Sequence, residues 1–262
     1  MKLSNGTVLF ERSGHLAIIT LNRPDSLNAI NPPLGVALRE ALNEVRDNDS
    51  IWVAILTGAG DRAFSAGADL RWRSENEDQV RKPRAGTGGK ILSAEFACWK
   101  PVIAAVNGYA VGGGLELAIA CDLIVAVERA RFGLPEPRRG LMADAGGVHG
   151  LSRQLPLKLA MEMILTGQFI DARRAADIGL VNRVVDNDRL IPAATELAEA
   201  IMECSPRAVQ AAKQAVVLGG QLSFEEAMVT EFSMFKRLQE SGDFTEGPRA
   251  FAEKRAPRWE GT

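Results

Sequence analysis

The chain alternates short apolar runs with segments of helical periodicity, and this alternation restricts it to a layered fold. HLAIITL (residues 15–21) and IWVAILTG (residues 51–58) are β-branched runs of strand length. The segment PPLGVALREALNEVRD (residues 32–47) repeats apolar residues at helical spacing behind a proline pair. PVIAAVNG (101–108) and LIVAV (123–127) are two more strand candidates. Because strands that alternate with helices form sheets covered by helices, the pattern predicts an α/β fold.

From about residue 155 the pattern becomes mostly helical. Five segments read as successive helices, interrupted only by the strand-like LVNRVV, and the last of them, SFEEAMVTEFSMFKRLQ (residues 223–239), is predicted as one helix. We divide the chain into a core over residues 1–200 and a helical region over residues 201–262, which together form one continuous unit. The polar stretch over residues 73–90 predicts a mobile loop. The sequence contains no visible internal repeat.

Composition and charge narrow the classes of function. Lys and Arg number 31 against 33 Asp and Glu, so the chain lacks the basic surplus of a nucleic-acid or membrane-surface binder. We expect neither nucleic acid nor membrane as a partner. Cys98, Cys121 and Cys204 have no CxxC spacing and lie beside apolar residues, and the two histidines have no ligand-type neighbours. These features predict reduced core thiols, a cytoplasmic location and no metal.

GGGLELAIACD (residues 112–122) begins with three glycines and then places one carboxylate, Glu116, in an apolar segment. Burial of a carboxylate is costly unless it is hydrogen-bonded or its pKa is raised. If Gly113 and Gly114 begin a helix, their N–H groups are unpaired donors, and Glu116 lies in the first turn. Two interpretations are open: Glu116 completes the helix N-terminus, or it serves a reaction in a neighbouring cavity.

A second small-residue loop follows the strand candidate that ends in ILTG. In FSAGADL (residues 64–70) the N–H of Ala68 is free to donate if the loop opens a helix. Together with the N–H of Gly113 it would form an oxyanion hole, a pair of donors for a developing negative charge. The alternative is a tight turn without a ligand.

The third segment with candidate acids is RFGLPEPRRGLMADAGG (residues 131–147). Glu136 stands between two prolines, which exclude a regular helix and present its side chain from a fixed loop. Asp144 lies in a small-residue turn before the next helix candidate. The simpler interpretations are an exposed loop acid for Glu136 and a helix N-cap for Asp144.

Six segments in the same order resemble the crotonase, or enoyl-CoA hydratase/isomerase, superfamily, and together they span essentially the whole chain. They are LNRPDSLNAI, FSAGADL, KPVIAAVNGYAVGGGLELAIACD, FGLPE, TGQFIDARRAADIGLVNRVV and EGPRAFAEKRAP. The resemblance implies a ββα spiral core and a helical C-terminal trimerisation region. It also implies an acyl-CoA substrate, assembly as a homotrimer or a hexamer, and no cofactor beyond the CoA of the substrate.

The resemblance also assigns site residues, because the matching positions are present. It assigns the oxyanion hole to the N–H groups of Ala68 and Gly113, which would hold the thioester carbonyl. Glu116 matches the carboxylate that acts as a base on water, and Glu136 matches the one that acts as an acid at C2. Because both acids are present, the family pattern favours an enoyl-CoA hydratase-type lyase that adds water to a 2-enoyl-CoA and gives a 3-hydroxyacyl-CoA.

The CoA contacts that the resemblance implies lie against residues 27–29, along the backbone of residues 66–70, and near the C-terminus. Lys254 is assigned to the nucleotide phosphates, and the alternative is a solvated helix face. Phe232, Met234 and Phe235 fit either a subunit interface or a core helix. The remaining CoA-binding residues are Leu27, Asn28, Ala29, Ala66, Gly67, Ala68, Asp69 and Leu70.

One segment departs from the hydratase pattern. Where hydratases resemble GxxPGAGG, this chain reads GLMADAGG, with Ala143 and Asp144 at the proline and glycine positions. A third acid is therefore expected to face the acyl pocket. Two enzyme alternatives follow: a double-bond isomerase that uses Glu136 and Asp144, and a carnitinyl-CoA dehydratase (crotonobetainyl-CoA hydratase), in which Asp144 or a tryptophan would meet a trimethylammonium group. A non-catalytic binding protein on the same fold is a third alternative.

Overall fold

Two β-sheets form the frame of the molecule in the computed structural model, which describes residues 6–76, 78 and 97–261. The larger sheet contains β1 (Val8–Ser13), β2 (Leu16–Leu21), β3 (Val53–Gly58), β5 (Val102–Val106), β7 (Leu123–Val127) and β10 (Arg183–Val185), in that spatial order. The smaller sheet contains β4 (Ala63–Ser65), β6 (Tyr109–Val111), β8 (Arg131–Gly133) and β9 (Ile170–Asp171). All neighbours are parallel except the antiparallel pairs β1 with β2 and β8 with β9.

The chain passes from the larger sheet to the smaller one in three successive turns. β3 leads into β4, β5 into β6 and β7 into β8, and an α-helix or a 3-10 helix follows each pair. Every residue of β3 and β5 is buried, as expected for parallel strands that are covered on both faces. The α/β fold and its ββα spiral core are thereby confirmed, and the turns repeat in space although the sequence contains no repeat.

Helices cover both sheets and make up the C-terminal part. The α-helices are α1 Pro32–Asp47, α2 Leu70–Glu75, α3 Gly113–Ala120, α4 Gly147–Gln154, α5 Leu157–Thr166, α6 Ala172–Asp177, α7 Leu190–Met202, α8 Pro206–Gly219, α9 Phe224–Val229, α10 Ser233–Gln239 and α11 Asp243–Ala252. The 3-10 helices are Pro24–Ser26, Glu136–Arg139 and Asn187–Arg189. The helix predicted over residues 32–47 is confirmed. The side chain of Asn31 caps it by accepting the N–H of Leu34 at 3.1 Å.

The prediction of one helix over residues 223–239 is wrong, because the segment forms two helices, α9 and α10. Thr230 is extended at the end of α9. The N–H of Met234 donates to Oε1 of Gln214 at 2.7 Å, instead of to the carbonyl that a continuous helix would supply. A tertiary contact from α8 therefore satisfies the new helix start. Met234 is buried against this neighbour, whereas Phe235 is 46% exposed.

The three cysteines are not all in the core. Cys98 and Cys121 are buried free thiols, but Cys204 is exposed, so the prediction of three core thiols is wrong for Cys204. The division between residues 200 and 201 falls within the last turn of α7. The loop predicted over residues 73–90 is wrong for residues 73–75, which end α2, and most of its other residues lie outside the described ones. Among the residues that the structure describes, no helix is both long and apolar enough to cross a membrane.

Candidate active site

Two backbone N–H groups become neighbours where the loop after β4 meets the start of α3. Gly113 is the first residue of α3, where N–H groups have no partner within the helix. Ala68 forms an isolated parallel bridge with Ile30. The hydrogen bonds of this bridge use the carbonyl of Gly67 and the N–H of Asp69, so they leave the N–H of Ala68 unused. A Cβ atom added to Gly113 would lie 3.5 Å from the nitrogen of Ala68. The structure thus brings the two predicted oxyanion-hole donors together.

Glu116 projects from the first turn of α3 and is only 6% exposed. Its Oε1 accepts two hydrogen bonds, from the N–H groups of Ala145 and Gly147, each at 2.8 Å. Burial raises the pKa of Glu116 to about 7, and the negative charges of Glu136 and Asp144 also raise it. The carboxylate is therefore hydrogen-bonded to the first residue of α4 and to the loop just before it, and it changes protonation state near neutral pH.

Glu136 begins the 3-10 helix that follows Pro135. Its Oε2 is buried and has no hydrogen-bond partner among the described residues. Burial raises the pKa of Glu136, while the positive charge of Arg139 opposes this shift. A Cβ atom at Gly112, whose φ is 55°, would lie 2.8 Å from Oε1 of Glu136, so glycine is required there. The raised pKa and the unpaired oxygen suit a group that carries a proton into a reaction.

One cavity of about 500 Å³ joins these groups. Its lining includes Ala68, Gly113, Glu116, Glu136 and Asp144. A water or a substrate carbon placed in this cavity would face two carboxylates, with two free N–H donors beside them. Such a set of groups is suited to proton transfer next to a carbonyl whose oxygen becomes negatively charged.

Asp144 does not cap a helix. The helix that follows it, α4, begins at Gly147 and has Gly146 as its N-cap. Asp144 is exposed at the cavity, where its charge raises the pKa values of both glutamates. The structure therefore places a third acid at the cavity.

Comparisons with known proteins agree with this site. Residues 11–262 match the model of the family described as Enoyl-CoA hydratase/isomerase. The chain belongs to the enoyl-CoA hydratase/isomerase family. It is therefore an enzyme of the hydratase type that acts on CoA thioesters.

Relatives of known name align with nearly the whole of this chain. The (E)-benzylidenesuccinyl-CoA hydratase of Thauera aromatica is 40% identical over 97% of this chain and 99% of its own length. The carnitinyl-CoA dehydratase of Salmonella typhi is 42% identical over 95% and 97%. The solved structure of the enoyl-CoA hydratase from Mycobacterium tuberculosis H37Rv superposes with a TM-score of 0.89 at 39% identity, covering 98% of this chain and all of that one.

The CoA-binding residues expected for the family divide into two groups. Ala66, Ala68 and Leu70 line the cavity. The other expected residues are not among those that line it; they are Leu27, Asn28, Ala29, Gly67, Asp69 and Lys254.

Two polar members of the second group are engaged by the protein itself. The fully buried Asn28 donates from Nδ2 to the carbonyls of Ala59 and Ala63, at 3.0 and 2.8 Å. Asp69 caps α2 by accepting the N–H of Trp72 and forms a 2.9 Å ion pair with Arg23, and these two contacts lower the pKa of Asp69 against the effect of burial. Within one chain, both side chains therefore shape the loops and are not available as free ligands.

Sequence reasoning missed several parts of the enzyme's site. It did not single out the N–H groups of Ala145 and Gly147, because a backbone donor has no residue-type signature. It also missed Trp72 and Arg139, both of which line the cavity. Arg139 had a usable signal, since it stands three residues after Glu136 and so one turn away in a 3-10 helix.

Proposed function

We propose that the protein hydrates 2-enoyl-CoA thioesters to 3-hydroxyacyl-CoA thioesters. One observation carries the proposal: two carboxyl groups with raised pKa values, Glu116 and Glu136, line the same cavity as two neighbouring N–H donors. Hydration requires a base for water, an acid for carbon and a stabiliser for negative charge on the thioester oxygen. The cavity offers one group for each requirement, and we propose that no cofactor takes part.

In the proposed reaction, Glu116 takes a proton from water while the water oxygen forms a bond to C3. The electrons of the C2=C3 bond move toward the thioester, whose carbonyl oxygen becomes negative and accepts the N–H groups of Ala68 and Gly113. Glu136 then donates its proton to C2, and the thioester carbonyl is restored. Water is added syn, and the two carboxyl groups exchange protonation states. Dehydration runs the same steps in reverse, with the roles of the acids exchanged.

The hydrogen bonds of Glu116 support its assignment as the base. Both protein N–H groups donate to Oε1, so Oε2 is left for a water molecule. A pKa of about 7 gives a sizeable ionised fraction at neutral pH and also makes the carboxylate a stronger base than an ordinary one.

Loss of the ultraviolet absorbance of the conjugated enoyl thioester tests the proposal. With crotonyl-CoA and a panel of longer 2-enoyl-CoA thioesters, we expect the absorbance to fall and the 3-hydroxyacyl product to appear by mass spectrometry. If no thioester of the panel loses its absorbance in the presence of the protein, the proposal is overturned.

Asp144 supports a second candidate, a double-bond isomerase, because it lines the cavity together with Glu136. In that reaction the two acids would move a proton between C2 and C4, with no need for Glu116. Conversion of a 3-enoyl-CoA to the conjugated 2-enoyl-CoA by the Glu116→Gln variant would favour this candidate. The carnitinyl-CoA dehydratase activity named for one relative uses the same hydration chemistry, so crotonobetainyl-CoA belongs in the substrate panel.

We also propose an assembly of trimers or paired trimers, a cytoplasmic location, and a CoA position along Ala66, Ala68 and Leu70. Large apolar side chains exposed on the C-terminal helices support the assembly, because a surface of this kind is usually covered by a partner. They include Val216, Phe224, Met228, Val229 and Phe251, whose exposure reaches 87%. Lys254 is exposed at the end of the same region, which suits contact with a CoA bound in a neighbouring subunit.

A further inference from the structure

Arg139 is placed by local geometry on the same side of its helix as Glu136. The two residues begin and end the 3-10 helix Glu136–Arg139. A 3-10 helix has three residues per turn, so side chains at positions i and i+3 lie one above the other. Both residues line the cavity, and the guanidinium is close enough to Glu136 to oppose the rise in its pKa. A positive charge therefore stands one turn from the proposed acid.

The neighbouring arginine, Arg138, has a different environment. Its Nε donates to the carbonyl of Thr166 at 2.7 Å, and it is not among the residues that line the main cavity. Arg139, by contrast, is exposed, and within the described ranges it has no hydrogen bond or ion pair through its side chain. Because guanidinium groups bind carboxylates in a planar, two-bond geometry, Arg139 is free to bind one from a ligand.

The position of Arg139 in the cavity determines which part of the substrate its side chain would contact. The CoA thioester is proposed to lie along Ala66, Ala68 and Leu70, and its reacting carbons between Glu116 and Glu136. With the thioester placed in this way, the acyl group beyond C3 would continue past Glu136, along the wall that carries Arg139. A charge at this position would then contact the acyl group and not the CoA.

We propose that Arg139 binds a second carboxylate at the far end of the acyl group, so that the preferred substrates are enoyl-CoA thioesters of dicarboxylic acids. This inference rests on the proposed hydratase function and adds its substrate class. The acyl group would enter with its thioester at the N–H pair and its free carboxylate at the guanidinium. Arg139 is in this sense a specificity-determining residue, separate from the acid–base pair.

The other charges of the cavity bear on the sign of the preferred acyl group. Asp144 would attract a cation, but Arg73 also lines the cavity and, like Arg139, has no described side-chain partner. Burial raises the pKa of Glu116 to about 7, which reduces its negative charge near neutral pH, and burial also raises the pKa of Glu136. Arg39 and Glu40 also line the cavity and have opposite charges. Arg139 and Arg73 thus offer two guanidinium groups to an anionic acyl group, and Asp144 is the exposed carboxylate that would oppose it.

The test compares substrates that differ only at the end of the acyl group. One pair is 2-pentenoyl-CoA and the thioester in which its terminal methyl is a carboxylate, and a second pair has three more methylenes. For the wild-type enzyme we expect a higher kcat/KM for the carboxylated member of at least one pair, by on the order of 10- to 100-fold, as for one charge-assisted hydrogen-bonded pair. Arg139→Met should reduce that ratio to about one or below.

Matched variants separate a direct contact from a general effect of charge. Arg139→Lys keeps the charge but not the planar fork, so it should retain part of the preference. Arg138→Gln removes the adjacent charge and should leave the ratio of the two kcat/KM values unchanged. Because a ratio between two substrates is measured, any change in the acidity of Glu136 affects both members and cancels.

Three results would overturn the inference. The first is a wild-type kcat/KM ratio, carboxylated over uncharged substrate, near or below one for both pairs, and the second is a ratio that Arg139→Met leaves unchanged. The third is a preference for crotonobetainyl-CoA, which carries a trimethylammonium group, that Asp144→Asn abolishes. Binding of the saturated analogues pentanoyl-CoA and glutaryl-CoA, measured by calorimetry, tests Arg139 without turnover. If no enoyl thioester is hydrated but glutaryl-CoA binds more tightly in an Arg139-dependent way, the hydratase proposal fails while the carboxylate site stands. If both members of each pair are hydrated without preference, the hydratase proposal stands and the carboxylate site fails.

Discussion

The N–H of Gly147 donates a 2.8 Å hydrogen bond to Oε1 of Glu116, so the first residue of α4 holds a carboxylate of α3. This contact joins positions 31 residues apart in the chain. Together with the N–H of Ala145, it fixes one oxygen of the carboxylate and leaves the other for the cavity. The proposed base is therefore oriented by backbone groups, whose donors do not depend on the identity of a side chain.

Removing either proposed acid should greatly reduce hydration. Glu116→Gln and Glu136→Gln each keep the shape of the side chain but lose a proton acceptor or donor, and we expect kcat to fall by roughly 10²- to 10⁴-fold. Glu162→Gln changes an exposed glutamate on α5 and serves as the control. If Glu116→Gln retains hydration while Asp144→Asn abolishes it, the wrong pair of acids has been assigned.

The pH profile should report the ionisation of Glu116. The base acts when ionised, so kcat/KM should decline as the pH falls below about 7. The negative charge of Asp144 raises this pKa, so Asp144→Asn should move the acidic limb of the profile to lower pH. Asp177→Asn, at an exposed position on α6, should leave the limb in place. A shift to higher pH in Asp144→Asn would contradict the arrangement.

Glu116 should make the folded protein less stable as the pH rises. Its folded-state pKa of about 7 lies above the ordinary value of 4.5, so the favourable protonated state is lost between these two pH values. Linkage gives a loss of about 3 kcal/mol of unfolding free energy over this window. Denaturant unfolding should therefore show that Glu116→Gln is more stable than wild type at pH 8, with a smaller difference at pH 5. A gain that is equal at both pH values would argue against a buried ionising group.

Gly147 should tolerate no side chain. A Cβ atom there would lie 2.9 Å from Oε1 of Glu116 and 2.8 Å from Cβ of Ala143, so Gly147→Ala must displace the carboxylate. We expect a fall in kcat of at least about tenfold, because misplacing a catalytic group is costly. Gly150→Ala, in the same helix, would meet only the end of the Ile119 side chain at 3.0 Å and should keep most activity. Steady-state kinetics with a circular-dichroism check of folding distinguish the two variants.

The exposed apolar side chains of the C-terminal region should be covered by another copy of the chain. Phe251 is 87% exposed on α11, so Phe251→Glu should place a charge in the proposed interface and shift the protein toward smaller species. Light scattering during gel filtration at several protein concentrations measures this shift. Leu9→Glu, at a 42% exposed position on β1, is the control. A monomeric wild type would remove the basis for the assembly.

The buried strands of the larger sheet and the long helices were predictable because their signal is local. Residues 32–47 repeat apolar side chains with the helical period, and the helix has those bounds. β4, β6, β8 and β9 were not predicted, because they have only two or three residues each. The six-residue β1 was not predicted either, because the second half of VLFERS is polar and exposed. The break between α9 and α10 also had no local signal, because Gln214 of another helix satisfies the N–H of Met234.

By itself, the sequence determined the fold class and the family, since both depend on residue types in a fixed order. It also marked Glu116, Glu136 and the two small-residue loops as candidates for chemistry. Only the tertiary structure decided that these groups share one cavity, that Asp144 joins them without capping a helix, and that Arg139 faces the same space. The physical reason is that burial, and the raised pKa values and backbone contacts that accompany it, arise from segments far apart in the chain.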